Sequence, residues 1–266
     1  MEASSTSGSD NGQARSVMLP QPTESHLVSR SIILFIQESG MMLEAKELTV
    51  AMATLLFHTY ANAHDVVGID LEESTEPSNA SAAKEETKTR GLPNDQMVAA
   101  ACLLLAGKME ENHFNIRKLI NVAYKTHHKE ELRDINEYYS LRGDLLALEL
   151  WLLRIIGFRS NFAHPHKYLV CYLKAVKDWL PPDTFARHPL VTLSWCLMRD
   201  AYLSEMVVRE KPEHIAVAVL VCSLRLCKVV VPEESRSDRH WTKGLCADLA
   251  SAQLDNIVNA LMDIYS

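Results

Sequence analysis

The chain has 266 residues and a formal net charge of −7, with 47% hydrophobic and 23% charged residues. This balance is typical of a globular protein that buries a core without disulfides, and the length predicts one large or two smaller domains. Only nine glycines are present, and none builds a dinucleotide-binding or phosphate-binding loop, which argues against those enzyme classes. The acidic balance argues against broad binding to a phosphate backbone, because the electrostatic attraction has the wrong sign.

Helical periodicity dominates the first half of the chain. Residues 1–23 are rich in Ser, Gly, Pro and Gln and are predicted to be disordered. Apolar residues at helical spacing then predict five helices, with a polar insert at residues 65–93 between the second and the third. We expect Gly40 to stop the first helix, Asn94 to cap the third and Gly157 to end the fifth. The predicted helices are Ser25–Ser39, Glu47–Asn62, Asn94–Glu111, Asn115–His127 and Ile135–Ile156.

The second half repeats this organisation. Val98–Leu103 and Ile215–Leu220 match in character at an offset of 117 residues, and each belongs to the third helix of its block. Both helices are apolar on nearly every side, which indicates a helix surrounded by others. The sequence therefore predicts an all-α protein with two five-helix domains, at residues 24–159 and 160–266. The predicted helices of the second half are His166–Leu180, Pro189–Val207, Glu213–Val229, Trp241–Ala250 and Gln253–Tyr265.

The cysteines and the amino terminus predict a reducing compartment. Six cysteines lie mostly within apolar segments and form no C-x-x-C pair, and residues 1–22 contain no apolar stretch typical of a secretory signal. We expect reduced thiols in the nucleus or cytoplasm, with Cys102, Cys196 and Cys222 in the core. The longest strictly apolar run, Val98–Ala106, is far shorter than the ~20 residues of a membrane-spanning helix.

Two charged residues stand beside apolar helix surfaces. Lys108 follows the all-round apolar part of the third helix, where the helix dipole favours a cation in the last turn. Glu149 falls at the edge of the apolar stripe of the fifth helix, where a carboxylate is costly unless it is paired. Taken alone, each residue fits an ordinary solvent-exposed position. Taken together, they predict a charged pair across two packed helices, set in an apolar surface and able to bond a partner's backbone.

Other polar groups give weaker indications. His164-Pro-His166 places two imidazoles around a proline, without the further ligands of a zinc site. Glu110 and Glu111 are adjacent on a helix and diverge by about 100°, so they do not form a general-acid pair. Since no nucleophile has a partner with local support, the sequence predicts no catalysis, no cofactor and no metal.

The third and fifth helices carry a family resemblance. Leu105–Glu111 (LAGKMEE), followed by Glu149 and Phe158, resembles the cyclin box. The resemblance covers about residues 24–265 without the insert, and it implies two five-helix repeats. In the second half, Phe162–Leu169 (FAHPHKYL) resembles the transcription-associated branch of the cyclins.

This resemblance implies a regulatory subunit that forms a heterodimer with a cyclin-dependent Ser/Thr protein kinase and performs no chemistry itself. It implies that Lys108 and Glu149 contact the kinase next to its αC helix, with Leu153 and Phe158 at apolar positions of the same surface. Met109 occupies a position that is often aromatic in the family. Binding to the kinase state with αC swung in shifts the kinase population toward the active conformation. The expected role lies in cell-cycle and transcription regulation.

Two other functions remain open from the residues alone. General transcription factors with the same double five-helix fold contact DNA, which requires a basic face that this acidic chain does not indicate. A helical enzyme requires a convergent polar pocket, which the sequence also does not indicate. The segment Arg30–Leu34 only loosely matches the first-helix pattern with which cell-cycle cyclins dock substrates, so we expect no such docking.

Overall fold

The computed structural model describes residues 30–67, 92, 94–231 and 241–265. Every regular element in these ranges is a helix, which confirms the predicted all-α class. The predicted tail at residues 1–23, the start of the predicted first helix and most of the predicted insert lie outside these ranges. No helix in the described part of the chain is both long and apolar enough to cross a membrane.

The part of the first half that the structure describes forms five helices, as predicted: α1 (Arg30–Met42), α2 (Glu47–Val67), α3 (Asn94–Met109), α4 (Ile116–His128) and α5 (Ile135–Ile155). Helix α3 is buried without a break from Met97 to Gly107, because α1, α2, α4 and α5 all pack around it. Asn115 caps α4 by accepting a hydrogen bond from the Arg117 amide at 2.9 Å. Gly157 follows α5 with a φ of +62°, a left-handed conformation that glycine adopts easily, so this helix ends where the sequence predicted.

In its described residues the second half forms seven helices and a 3-10 turn at Asp263–Tyr265. The helices are α6 (Pro165–Trp179), α7 (Thr184–Arg187), α8 (Leu190–Ala201), α9 (Met206–Arg209), α10 (Pro212–Leu226), α11 (Thr242–Leu245) and α12 (Ser251–Met262). Helix α10 is buried from His214 to Leu224 and packs against α6, α8 and α12. The predicted helix Pro189–Val207 is wrong in its second part, since a turn after Ala201 separates α8 from α9. Helices α7 and α9 are single turns that the apolar spacing did not predict.

The two halves share buried contacts. Ala51 and Leu55 of α2 belong to the same buried cluster as the core of the second half. The buried His58 side chain, also on α2, lies 2.9 Å from the carbonyl oxygen of Tyr202 through its Nε2. Helix α2 therefore supports both cores, and the domain boundary near residue 160 stays a prediction.

Two predictions from single residues are wrong. Gly40 does not stop α1, which continues to Met42, and a Cβ at Gly40 would lie 2.6 Å from Cγ2 of Val50. Its small size instead allows α1 and α2 to approach closely. Cys196 is exposed, because α8 buries the opposite face at Leu197 and Met198. Cys102 and Cys222 are buried, as expected.

Candidate functional site

The end of α3 holds Lys108 at the surface of the first half. A Cβ at the neighbouring Gly107 would lie 2.7 Å from Cε2 of Phe114 and 2.8 Å from the carbonyl oxygen of Asn112, so the returning chain packs directly on this glycine. The Asn112 amide donates to the Gly107 carbonyl at 2.8 Å, and its side chain donates to Oγ1 of the buried Thr49 at 3.2 Å. These contacts fix the last turn of α3 and thus the position of Lys108.

Lys108 and Glu149 meet across α3 and α5. Nζ of Lys108 lies 2.5 Å from Oε1 of Glu149, so the structure places the two residues together as the sequence predicted. The exposures of the two side chains differ, at 48% for Lys108 and 9% for Glu149. Glu149 lies on the buried face of α5 between Leu145 and Leu152, where a carboxylate without a counter-charge would lose its hydration uncompensated. Lys108 supplies that counter-charge while it remains accessible to a partner.

The geometry of the pair leaves hydrogen-bonding capacity for a partner. An ammonium group has three N–H donors and a carboxylate accepts several hydrogen bonds, whereas the contact between Lys108 and Glu149 uses one of each. The free donors suit the carbonyl oxygens of a docked backbone. Because Glu149 orients the ammonium before binding, less side-chain entropy is lost when the partner docks.

Apolar side chains surround the carboxyl end of α5. Phe158 is 70% exposed, and its amide donates to the Leu153 carbonyl at 2.9 Å, which fixes the turn that follows the helix. Leu153 and Met109 are half-buried at the margin of the first core. Sequence reasoning missed Leu150, which is 60% exposed and shares a helix face with Leu153 at i,i+3 spacing. Leu150 could have been identified from the sequence, because it is a leucine that lies outside the apolar face of an amphipathic helix.

The histidines singled out in the sequence lie where the two halves meet. Nδ1 of His164 lies 3.1 Å from the Tyr202 hydroxyl, and Nε2 lies 3.7 Å from Oε1 of Glu110. The ring of His166 stacks on Tyr202 with a centroid distance of 5.6 Å. Burial, reinforced by repulsion from His164 when that ring is protonated, lowers the pKa of His166 to about 4. Burial also lowers the pKa of His164 and of His58. These neutral rings act as packing groups between the halves.

Comparison with known proteins finds relatives that are cyclins. No protein-family model matches the chain. Cyclin-T1-3 of Oryza sativa is 25% identical over 262 residues, covering 96% of this chain and 46% of that protein. Cyclin-K of Danio rerio is 28% identical over 172 residues, covering 64% of this chain and 39% of the relative. Cyclin-L1 of Gallus gallus is 26% identical over 237 residues, covering 87% and 39%. The chain thus spans less than half the length of these relatives.

Solved structures share the fold. A chain of the yeast RNA polymerase II CTD kinase CTDK-1 complex superposes with a TM-score of 0.61 at 14% identity, covering 89% of this chain and 64% of that one. A viral cyclin from herpesvirus saimiri superposes with a TM-score of 0.53 at 15% identity, covering 89% and 84%. The fold therefore defines the class of all-α proteins with cyclin boxes. In sequence, the chain is similar to the cyclins T, K and L named above.

Proposed function

We propose that this chain is the activating regulatory subunit of a cyclin-dependent Ser/Thr protein kinase. The observation that carries the proposal is the half-accessible Lys108–Glu149 pair, at a helix α5 that also carries the exposed Leu150 and is followed by the exposed Phe158. A charged pair with unused donors within an apolar surface suits a protein partner that supplies both backbone acceptors and apolar side chains. The cyclin relatives support a kinase as that partner.

The proposed mechanism is conformational. A protein kinase holds ATP correctly only when its αC glutamate pairs with the lysine of strand β3. A subunit that binds the arrangement with αC swung in, and binds the alternative more weakly, shifts the kinase toward the active state. Moving a population from about 1:99 to about 99:1 requires about 5.5 kcal/mol of differential binding. The chain supplies this free energy and takes no part in phosphoryl transfer.

The proposed contact residues have two kinds of role, one for the charged pair and one for the apolar side chains. Lys108 and Glu149 bond the kinase backbone next to αC and set the register of docking. Leu153, Phe158 and Met109 supply apolar area, to which we add Leu150 on the ground of its exposure. Desolvation of this area contributes affinity, whereas the charged pair contributes orientation.

The second half leads to a proposal about which kinase binds. The segments Trp195–Tyr202 (WCLMRDAY), Glu213–Leu220 and Leu254–Val258 (LDNIV) resemble cyclin-Q, also called cyclin M, whose family partner is cyclin-dependent kinase ten. We propose that kinase as the partner in a heterodimer, in the nucleus or the cytoplasm. The solved neighbour from a polymerase II CTD kinase complex supports a role in transcription control.

The test is co-purification with a panel of cyclin-dependent kinases that includes cyclin-dependent kinase ten, followed by a kinase assay on each complex. We expect a stoichiometric complex and activation of the bound kinase. Replacing Lys108 and Glu149 by Ala together should weaken binding at least ~30-fold, the loss typical of residues that dominate an interface. Replacing the exposed Arg225, which lies in the last turn of the matching helix α10, by Ala serves as control and should leave binding within about twofold.

A second variant separates loss of binding from loss of folding. Phe158 has a φ of +56°, and asparagine tolerates this conformation, so Phe158→Asn removes the exposed ring without disturbing the turn. It should weaken kinase binding while the circular dichroism and thermal transition stay unchanged. If the Lys108/Glu149 variant and Phe158→Asn both bind the kinase like the wild type, the proposed surface is wrong. If no kinase binds the wild-type chain, the proposed function is wrong.

A further inference from the structure

Three side chains of the second half bring three different donor atoms together. His214 lies in the first turn of α10, and Cys246 and Asp248 lie between α11 and α12. One nitrogen, one sulfur and one oxygen from these residues all lie within 4.8 Å of one another. Sγ of Cys246 is 2.9 Å from Oδ1 of Asp248, and Nε2 of His214 is 3.4 Å from Oδ2 of the same carboxylate.

His214 is the residue that needs an explanation. It is 2% exposed, and neither ring nitrogen has a hydrogen-bond partner within the described part of the chain. The 3.4 Å contact with Asp248 lacks the alignment of a hydrogen bond. A buried polar group without a partner lowers the stability of the fold by about 1–3 kcal/mol. The packing around the His214 ring offers nothing that compensates for this loss. A ligand that Nε2 binds together with Cys246 and Asp248 accounts for its position.

The segment that carries the other two groups is already held in place. The Cys246 amide donates to the Thr242 carbonyl at 3.0 Å. Nζ of Lys243 donates to the carbonyl oxygen of Leu249 and also, at 3.3 Å, to that of Ala247. The donor atoms are therefore presented by fixed backbone, and little chain entropy is lost when a ligand binds them.

We propose that His214, Cys246 and Asp248 bind one Zn²⁺ ion. Imidazole nitrogen, thiolate sulfur and carboxylate oxygen are zinc ligands, and ligand distances of about 2.0–2.3 Å imply separations of about 3.3–3.8 Å between ligand atoms of a tetrahedral site. One ligand atom from each of the three residues lies within 4.8 Å of the other two, so the widest separation has to close by at most about 1 Å to match. Three protein ligands leave the fourth position to a water molecule.

Binding of Zn²⁺ requires two local changes, and the surroundings of the site permit both. Nζ of Lys211 lies 2.6 Å from Oδ2 of Asp248, and its side chain is 63% exposed, so it can turn into solvent and leave the carboxylate to the metal. The Cys246 thiol, which donates to Asp248, becomes a thiolate and releases its proton to solvent. The ion thus replaces both the proton and the ammonium as the counter-charge of the carboxylate.

The experiment measures Zn²⁺ binding to the full chain by competition with a chromophoric chelator, and Co²⁺ binding by absorption. We expect one equivalent of Zn²⁺, and a thiolate-to-cobalt charge-transfer band with the visible bands of tetrahedral Co²⁺. Cys246→Ser should abolish the charge-transfer band. It should also weaken Zn²⁺ binding at least ~100-fold, because loss of a ligand exceeds the 10–100-fold effect of losing an outer hydrogen bond. Cys171→Ser, at an exposed cysteine outside the group, should bind like the wild type.

Asp248→Asn keeps the test independent of folding, since this side chain is half exposed and outside the core. It should weaken Zn²⁺ binding while the circular dichroism stays native. Zn²⁺ binding that is equal in the wild type, Cys246→Ser and Asp248→Asn would overturn the proposal, because the ion would then be held elsewhere. Absence of Zn²⁺ binding by the folded wild-type chain would overturn it as well. Neither result bears on the kinase surface of the first half.

Discussion

Each half of the molecule is built around a central apolar helix, and the two halves differ at the end of that helix. Helix α3 (Asn94–Met109) and helix α10 (Pro212–Leu226) end at positions that correspond at the 117-residue offset of the apolar match. Both are buried on nearly all sides. Lys108 near the end of α3 pairs with Glu149, whereas the corresponding Arg225 is exposed and has no carboxylate partner among the described residues.

This difference separates what the fold requires from what the site requires. Packing repeats in both halves, because a helix covered on every side needs apolar residues all round. Of the two halves, as far as the structure describes them, the first carries the charged pair, because its helix α5 holds the buried carboxylate of Glu149. In the second half, Asp255 of α12 and Asp263 after it are both exposed. The candidate site is thus present in one copy of a repeated scaffold.

The largest expected effect concerns the two cores. Leu103 and Leu220 occupy matching positions on α3 and α10, and both are 0% exposed. Each replacement by Ala should lower the free energy of unfolding by about 2–5 kcal/mol. Because Ala51 and Leu55 of α2 pack in the second core, we expect each variant to destabilise both halves. Hydrogen exchange followed by mass spectrometry checks this, and protection lost in only one half would contradict the shared core.

Acid should weaken the junction between the halves. The pKa of His166 is about 4 in the folded protein and about 6.5 in the unfolded chain, so the unfolded state binds more protons between these values. Stability from this group is complete above pH 6.5 and falls by at most about 3 kcal/mol as the pH drops to 4. His58 and His164, whose pKa values burial also lowers, act with the same sign.

Urea denaturation across this pH range measures the effect of His166. Its replacement by Phe keeps a ring against Tyr202 and Trp195 and removes the titration. The variant should lose less stability than the wild type between pH 6.5 and 4.5. Parallel pH profiles for the two proteins would show that the junction is insensitive to this histidine.

The next effect concerns the turn that positions Lys108. Gly107→Ala forces a Cβ against Phe114 and the Asn112 carbonyl, and should cost about 1–3 kcal/mol of stability. Gly143→Ala is the matched control, because a Cβ there meets nothing within 4 Å, and it should stabilise the chain by about 0.5–1 kcal/mol. Thermal denaturation of both variants is the measurement, and equal shifts would contradict the close contact at Gly107.

The smallest effect distinguishes the two corresponding cations. Lys108→Ala leaves the carboxylate of Glu149 buried without its partner, and should lower stability by about 1–2 kcal/mol, less than for a fully buried pair because Lys108 is half exposed. Arg225→Ala should change stability by less than about 0.5 kcal/mol. Chemical denaturation at low and high salt tests both. If Lys108→Ala is as neutral as Arg225→Ala, Glu149 gains no stabilisation from the pair.

Local chemistry in the sequence was enough to predict several features. Helical spacing predicted the five helices described in the first half, because periodicity and helix-ending residues such as Gly157 act within one turn. The same periodicity put Glu149 at the edge of an apolar stripe. Together with the apolar run before Lys108, this predicted that the two charges meet, which the structure confirms.

Tertiary packing decided the features that depend on distant segments. Gly40 was predicted to end a helix, and only the approach of Val50 reveals that its small size serves packing. His214 and Cys246 are separated by a long stretch of sequence without a metal-binding spacing, and only the packing of α10 against the segment before α12 brings them together. Sequence determines which face of a helix is apolar, because that information is local. Which distant segment covers that face is decided by the fit of the whole chain.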